Sequence, residues 1–229
     1  MAHHPGMTQA VDYPALFARL ARIDSTHLAD ADKSIPACGP ALRPVRTGLK
    51  LIGRAFTLRL CEDFLTVIAA LTEAAPGDVL VVDTQGSRRA VVGELFSLEA
   101  ARQGLAGIVV DGLVRDTATI RTLDMPVYAC GTSPQAGTLK RLFETQVPVS
   151  CAGVIVRPGD VLFGDDDGLL VASPAAVLAA LPAAEAIAAR EAKIIERLRA
   201  GQPLASMVNA AEHLAKVRAG EPSALAFDI

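Results

Sequence analysis

Gly107-Ile108-Val109-Val110-Asp111-Gly112-Leu113-Val114-Arg115-Asp116 decides the fold. Gly107 to Val110 reads as a strand covered on both faces, and the glycine-containing stretch after it delivers an arginine and an acid to the start of a helix-like segment. Val79-Leu80-Val81-Val82-Asp83 has the same character upstream, and Gly93-Glu94-Leu95-Phe96 opens the helix-like segment between the two. Twenty residues separate Glu94 from the Arg115-Asp116 pair. A third strand over residues 126–129 completes a β-α-β-α-β order, which implies an α/β fold with right-handed parallel crossovers. The ends of neighbouring parallel strands open onto one crevice, so two acids and an arginine gathered there could hold a divalent metal beside an anionic substrate.

Outward from this core, residues 51–60 read as a strand interrupted at Gly53, and residues 64–74 as a short helix stopping before Pro76-Gly77. The helix over 94–103 ends at Gly104, a suitable C-terminal cap, and a further helix covers 117–123. Beyond Thr138 the pattern changes to strand-like pieces at 149–156, 161–163 and 168–172, read as antiparallel hairpins with Pro158-Gly159-Asp160 and Asp166-Asp167-Gly168 as turns. Pro76-Gly77-Asp78-Val79-Leu80 recurs as Pro158-Gly159-Asp160-Val161-Leu162, either a repeated turn-to-strand element or a chance repeat of a common turn. Apolar residues at Leu16, Phe17, Leu20 and Ile23 predict an amphipathic helix over 12–24, and a proline- and glycine-rich loop follows over 34–50. An alanine-rich helix over 174–199 is expected to break or kink near Pro182, and a last helix to run over 204–219. The chain divides into an extension over 1–10, to whose His3, His4 and Pro5 no function attaches, a core domain over 11–175, and a helical extension over 176–229 packed on the core or on a neighbouring subunit.

Half the chain is apolar (51%) with no tryptophan, so its core is built from Ala, Val, Leu and Ile. A formal charge of −3 and scattered basic residues give nucleic-acid binding no electrostatic support. Cys38, Cys61, Cys130 and Cys151 show no metal-ligand spacing and read as reduced thiols of a cytoplasmic protein. No run reaches the roughly 18 to 20 apolar residues of a membrane span.

Free backbone N–H groups at the helix start of Glu94, Leu95 and Phe96 favour a bound carboxylate. Glu94 and Asp116 match a hard ion such as Mg²⁺, which takes only one or two protein carboxylates. Acids at helix starts also serve as simple caps, a reading that Arg115, set between a glycine-containing loop and an acid, weakens. Lys33, Lys50, Lys140, Lys193 and Lys216 all avoid strand-like core segments, which disfavours a Schiff-base mechanism. His27 could contact substrate, but a lone histidine near a helix end more often serves the structure. Asp165-Asp166-Asp167-Gly168 lacks the spacing of a calcium loop and reads as a turn. Arg88 and Arg89 could receive a second substrate carboxylate or be surface charges.

The segments 77–83, 93–95, 107–116, 158–160 and 164–168 together resemble the RraA-like family, which includes 4-hydroxy-4-methyl-2-oxoglutarate aldolases and the regulator of ribonuclease E activity A. The resemblance covers residues 53–174. It implies a swivelling β/β/α domain, here with N- and C-terminal helices, assembled as homotrimers or hexamers with sites between subunits. It further implies a class II, metal-dependent carbon–carbon lyase acting on 4-hydroxy-2-oxo acids to release pyruvate, with oxaloacetate decarboxylation at the same site. On this chain the resemblance makes Asp116 the metal anchor, Glu94 a ligand acting through water, Arg115 the group that stabilises the enolate, and Leu95 and Phe96 the N–H donors to the substrate; the ion is Mg²⁺ or Mn²⁺. The family pattern has aspartate where this chain has Glu94. A glutamate from a neighbouring subunit's C-terminal helices also serves the site, and Glu191 matches it better than Glu185 or Glu196. The alternative implied by the same resemblance is a non-catalytic protein that binds and inhibits ribonuclease E. A methyltransferase label also attached to the family finds no Gly-rich cofactor loop after the first core strand.

Overall fold

The computed structural model describes residues 11–227. Four parallel strands form its centre: β2 (Leu51–Arg59), β3 (Asp78–Asp83), β4 (Gly107–Val114) and β5 (Val127–Thr132), preceded in the chain by the two-residue β1 (Arg43–Pro44). Helices α3 (Leu65–Glu73), α4 (Glu94–Arg102) and α5 (Thr117–Ile120) cross between them, after α1 (Tyr13–Leu20) and α2 (Ser25–Ala31) at the N-terminal side. β1 pairs antiparallel with β5, and on the opposite side β8 (Val161–Asp165) and β9 (Gly168–Ala172) extend the sheet to the order β1-β5-β4-β3-β2-β8-β9. β6 (Val149–Cys151) and β7 (Val154–Val156) pair only with each other, and the chain closes with α6 (Pro174–Arg199) and α7 (Ala210–Arg218). The outcome is a mixed α/β domain with a nearly closed sheet and flanking helices.

Alternation along the strands assigns the layers. Leu80 and Val82 of β3 join Ile108 and Val110 of β4 against α3 and α4, whereas Val79, Val81 and Val109 face the β6–β7 hairpin. A third cluster packs α1, α2 and α6 on Val161, Phe163 and Leu170 of β8 and β9. Val79 to Val82 are wholly buried, as their unbroken apolar run predicts.

Several elements differ from the sequence-based expectation. β2 runs unbroken through Gly53, because glycine there answers a packing need: a Cβ would lie 2.7 Å from the Ala106 side chain, the Gly77 carbonyl and Val79. Residues 149–156 form a complete hairpin. Its turn, Ala152 (φ 45°) and Gly153 (φ 88°), puts an alanine in the left-handed region that asparagine or glycine usually fills. The Ala152 N–H donates to Asp111 Oδ2 at 2.8 Å and its carbonyl accepts from Gly39 N at 2.7 Å, which hold it there. Pro158-Gly159-Asp160 is therefore no hairpin turn but the passage from the small sheet to the large one. α6 continues through Pro182 without a break: the proline is exposed, where water can take up the carbonyl it leaves unbonded, and buried Val177, Ala180, Leu181 and Ala184 anchor the helix on both sides of it. The expected last helix is divided into a 3₁₀ turn at Leu204–Ser206 and α7.

The Pro-Gly-Asp repeat is structural. Gly77 and Gly159 have φ of 85° and 84°, and each aspartate accepts a hydrogen bond from the backbone N–H three residues before it, Asp78 from Ala75 at 2.9 Å and Asp160 from Arg157 at 2.8 Å. Both turns launch a strand beside β2, β3 on one side and β8 on the other, with Arg54 opposite Asp78 and Val161.

The segment between β5 and β6 is tied to the body by buried Asp63, which accepts from Thr138 Oγ1 (2.6 Å), Lys140 N (2.6 Å) and Leu65 N (2.9 Å). Burial pushes the Asp63 pKa up, but these donors outweigh it and hold the carboxyl below its ordinary value. Because the folded-state pKa is lowered, the stabilisation is complete above the unfolded pKa and disappears as pH falls through the folded one. Asp63→Ala is expected to destabilise the protein by about 2 to 3 kcal/mol at neutral pH through the stranded donors. Urea unfolding at pH 7 and near pH 3 checks this, with the gap between variant and parent narrowing at the lower pH.

Candidate functional site

The parallel register sets Asp83 opposite Asp111, so β3 and β4 reach their C-terminal edge at the same level. From there the chain leaving β3 turns at Gln85 (φ 51°) and Gly86 (φ 74°) and returns alongside the end of β4. Val92 bridges Val114 in parallel, and Arg115 N donates to the Val92 carbonyl at 3.0 Å. A bulge shifts the register between Val110 and Leu113, and Gly112 (φ 157°) gives way to Thr84, whose hydroxyl would lie 2.3 Å from any Cβ there. Thr84 Oγ1 instead donates to the Asp111 carbonyl at 2.6 Å.

The pocket so formed is lined by Glu94, Leu95, Phe96, Arg115 and Asp116, with Gly93 and Ala136 among its walls. Asp116 is the N-terminal cap residue of α5 and has left-handed backbone angles, φ 55° and ψ 38°. Its carboxylate turns away from its own helix to the start of α4, accepting from Glu94 N at 3.3 Å, with Arg115 Nε also at 3.3 Å. Glu94 Oε2 accepts a hydrogen bond from Thr119 Oγ1 at 2.7 Å. Gly93 contributes no capping side chain to α4, and the N–H groups of Leu95 and Phe96 stand in its first turn, where an anion is favoured. The Phe96 ring packs on Phe64 with centroids 5.5 Å apart.

Among the described residues no three His, Cys, Asp or Glu side chains gather as a metal cluster. Glu94 and Asp116 offer two carboxylates at the pocket, a set that would suit an oxygen-seeking ion keeping much of its water and would not suit a closed zinc site. Behind the bulge, Cys130 donates to Asp111 Oδ1 at 3.4 Å, and burial together with that carboxylate pushes its pKa up to about 11. Both effects disfavour its thiolate form.

The other residues singled out from the sequence lie elsewhere. Glu191 is on α6, its Oε2 3.2 Å from His27 Nε2, outside the pocket lining; Glu185 is held bidentately by Arg19 at 2.8 and 2.7 Å, and Glu196 is exposed. His27 also accepts from Asp24 N at 2.9 Å through Nδ1, which makes it part of the α2 cap. Asp165 accepts from Ser25 and Asp166 from Gly48 N, so the acidic run is a satisfied turn. Arg89 Nη1 donates to the carbonyl of Ala136, a pocket wall residue, at 3.2 Å, and both Arg88 and Arg89 are exposed. Sequence reasoning passed over Thr119: a hydroxyl three residues after Asp116 carries no periodic signal, and its partner lies on another helix.

Acids and an arginine thus meet beside a helix N-terminus at the C-terminal edge of parallel strands in an α/β protein, the region where such folds commonly take small ligands. The chain belongs to the RraA-like family, whose model, described as Aldolase/RraA, matches residues 25–171. Over 151 residues it is 36% identical to a protein of Halalkalibacterium halodurans named "Putative 4-hydroxy-4-methyl-2-oxoglutarate aldolase", covering 65% of this chain and 72% of that one. A Burkholderia multivorans protein of the same name is 40% identical over 156 residues, 65% of this chain and 95% of its own. The solved structure of the "RNA-processing inhibitor RraA from Thermus thermophilis" superposes with a TM-score of 0.61 at 35% identity, covering 66% of this chain and 92% of that one.

Gly93 separates site from scaffold. A Cβ there would fall 2.6 Å from Asp116 Oδ2 and 3.0 Å from Arg115 Cγ, while its φ of −144° suits any residue. Gly93→Ala should therefore leave the helices intact and displace Asp116 and Arg115. The Arg115 Nε–H resonance is expected to move with little change in far-UV circular dichroism, and an unmoved resonance would show that the pocket accommodates the methyl.

Proposed function

We propose that the protein is a class II aldolase that cleaves 4-hydroxy-2-oxo acids such as 4-hydroxy-4-methyl-2-oxoglutarate to pyruvate, and that decarboxylates oxaloacetate at the same site. The observation that carries this reading is the convergence of Glu94, Arg115, Asp116 and the α4 N-terminus on one pocket, in a chain whose relatives bear aldolase names. Asp116, with Glu94 acting through water, would hold Mg²⁺ or Mn²⁺. Such an ion, when bound, supplies a Lewis acid that polarises the substrate's keto oxygen. No lysine lines the pocket among the described residues, which supports the metal-dependent route over a Schiff base.

The chain's own groups account for binding and charge. The N–H groups of Leu95 and Phe96 grip the carboxylate next to the keto group. A water or a carboxylate takes the proton of the C4 hydroxyl, C4 becomes a carbonyl, and the electrons of the C3–C4 bond pass to the keto end as the enolate of pyruvate. Arg115, next to Asp116, places its cation where that negative charge develops. A proton delivered to C3 from water then yields pyruvate. Oxaloacetate losing CO₂ arrives at the same enolate, so one arrangement serves both reactions. Glu191 does not line the pocket of its own chain and would serve that of a second copy within a cytoplasmic trimer or hexamer.

The test is pyruvate release from 4-hydroxy-4-methyl-2-oxoglutarate and from oxaloacetate with Mg²⁺ or Mn²⁺. Turnover is expected to vanish in EDTA and return on adding metal, and Arg115→Ala to lower kcat by about 10² to 10³-fold, the scale of losing one charge-stabilising donor. Absence of turnover on both substrates, with tight binding to ribonuclease E, would replace this reading with that of a binding protein.

A further inference from the structure

Three hydrogen bonds close a ring between the starts of α4 and α5. Glu94 N donates to Asp116 Oδ2 at 3.3 Å, Thr119 N donates to the Asp116 carbonyl at 3.1 Å, and Thr119 Oγ1 donates to Glu94 Oε2 at 2.7 Å. The last is the shortest and the only one between two side chains. A threonine in a helix commonly returns its hydroxyl to its own backbone. Thr119 gives its hydroxyl to a carboxylate on another helix, and its branched Cβ leaves few χ1 settings from which to do so.

The consequence falls on Glu94. A glutamate at a helix start has three side-chain torsions, and its backbone settles none of them. With Oε2 held by Thr119, the carboxylate has one orientation, and Oε1 accepts from no other described residue. That oxygen remains available to a water or a substrate hydroxyl. Length also matters: an aspartate at position 94 would be a methylene short of the same hydroxyl, so the glutamate and Thr119 form a unit.

We propose that Thr119 is a positioning residue, fixing Glu94 so that one carboxylate oxygen is presented to the pocket while the other is anchored to α5. The inference rests on the metal-aldolase reading above. Partners that orient the carboxylates of a metal site typically affect metal affinity or activity by about 10- to 100-fold.

The experiment uses the full chain and the variants Thr119→Val, Thr119→Ser, Glu94→Leu and the double variant Thr119→Val with Glu94→Leu. Calorimetric titration with Mn²⁺ alone, steady-state pyruvate release and thermal melting are read on each. Thr119→Val keeps the shape and loses the donor. It is expected to weaken Mn²⁺ binding or lower kcat by about 10-fold or more with a much smaller change in KM, and Thr119→Ser to recover most of the loss. In the Glu94→Leu background, which has no acceptor for Thr119, Thr119→Val is expected to add less than about a 2-fold further effect, because two residues acting through one contact are not additive. Should Thr119→Val fail to fold, Thr119→Ala replaces it in the same cycle. Wild-type behaviour of Thr119→Val in both readouts, or losses that multiply in the double variant, would overturn the positioning role while leaving the aldolase reading standing. A parent protein that neither binds Mn²⁺ nor releases pyruvate would overturn both.

Discussion

The parallel register of β3 on β4 is the constraint from which the rest follows. Asp83 opposite Asp111 brings two chain exits to one edge, where both would otherwise run straight into their crossover helices. The bond from Thr84 to the Asp111 carbonyl ties the first exit to the second, and Val92 then runs parallel beside Val114. Only then does Gly93 reach Asp116 and the α4 start reach the α5 start. An interior of Val, Leu and Ile packed on both faces supplies the hydrophobic stabilisation that keeps this register, since a slip of one residue would turn buried side chains to the wrong layer.

Much of this was legible in the residues. Continuous apolar runs at 79–82 and 107–110 announced strands covered on both faces, and the glycines near them announced the turns. The pocket's acids, arginine and helix start were legible as neighbours because parallel strands share an edge. What stayed hidden was set by contacts distant in the chain. Ala152 turns a hairpin only because Asp111 and Gly39 hold its backbone. Gly53 looks like an interruption until Ala106 and Val79 are seen against it. Pro182 breaks nothing because its side of α6 is exposed while the flanks are buried.

The Pro-Gly-Asp repeat shows how a local device acquires a global role. Each copy is a short turn with one glycine in the left-handed region and one aspartate bonded back across it. Placed on the two sides of β2, the copies start β3 in parallel and β8 in antiparallel pairing. Identical turns thus feed opposite strand directions, and the difference lies in where the chain arrives from: α3 on the helical face for the first, the β6–β7 hairpin on the other face for the second. Local sequence specified the turn, and the preceding element determined the pairing.

Asp116 shows the same division inside the site. A residue joining β4 to α5 without a loop must reverse the chain at once, and φ 55° with ψ 38° does so, at a cost of about 1 kcal/mol that aspartate bears better than most residues. Glycine would relieve the strain but remove the carboxylate. A longer acid in that conformation would carry its carboxylate past Gly93 and the α4 N–H. The left-handed turn therefore aims the side chain at the neighbouring helix, and Arg115, one residue earlier, brings its guanidinium to the same place. In that arrangement the charges of the pocket are positioned by backbone geometry, and Glu94, whose long side chain the backbone leaves free, takes its position from Thr119.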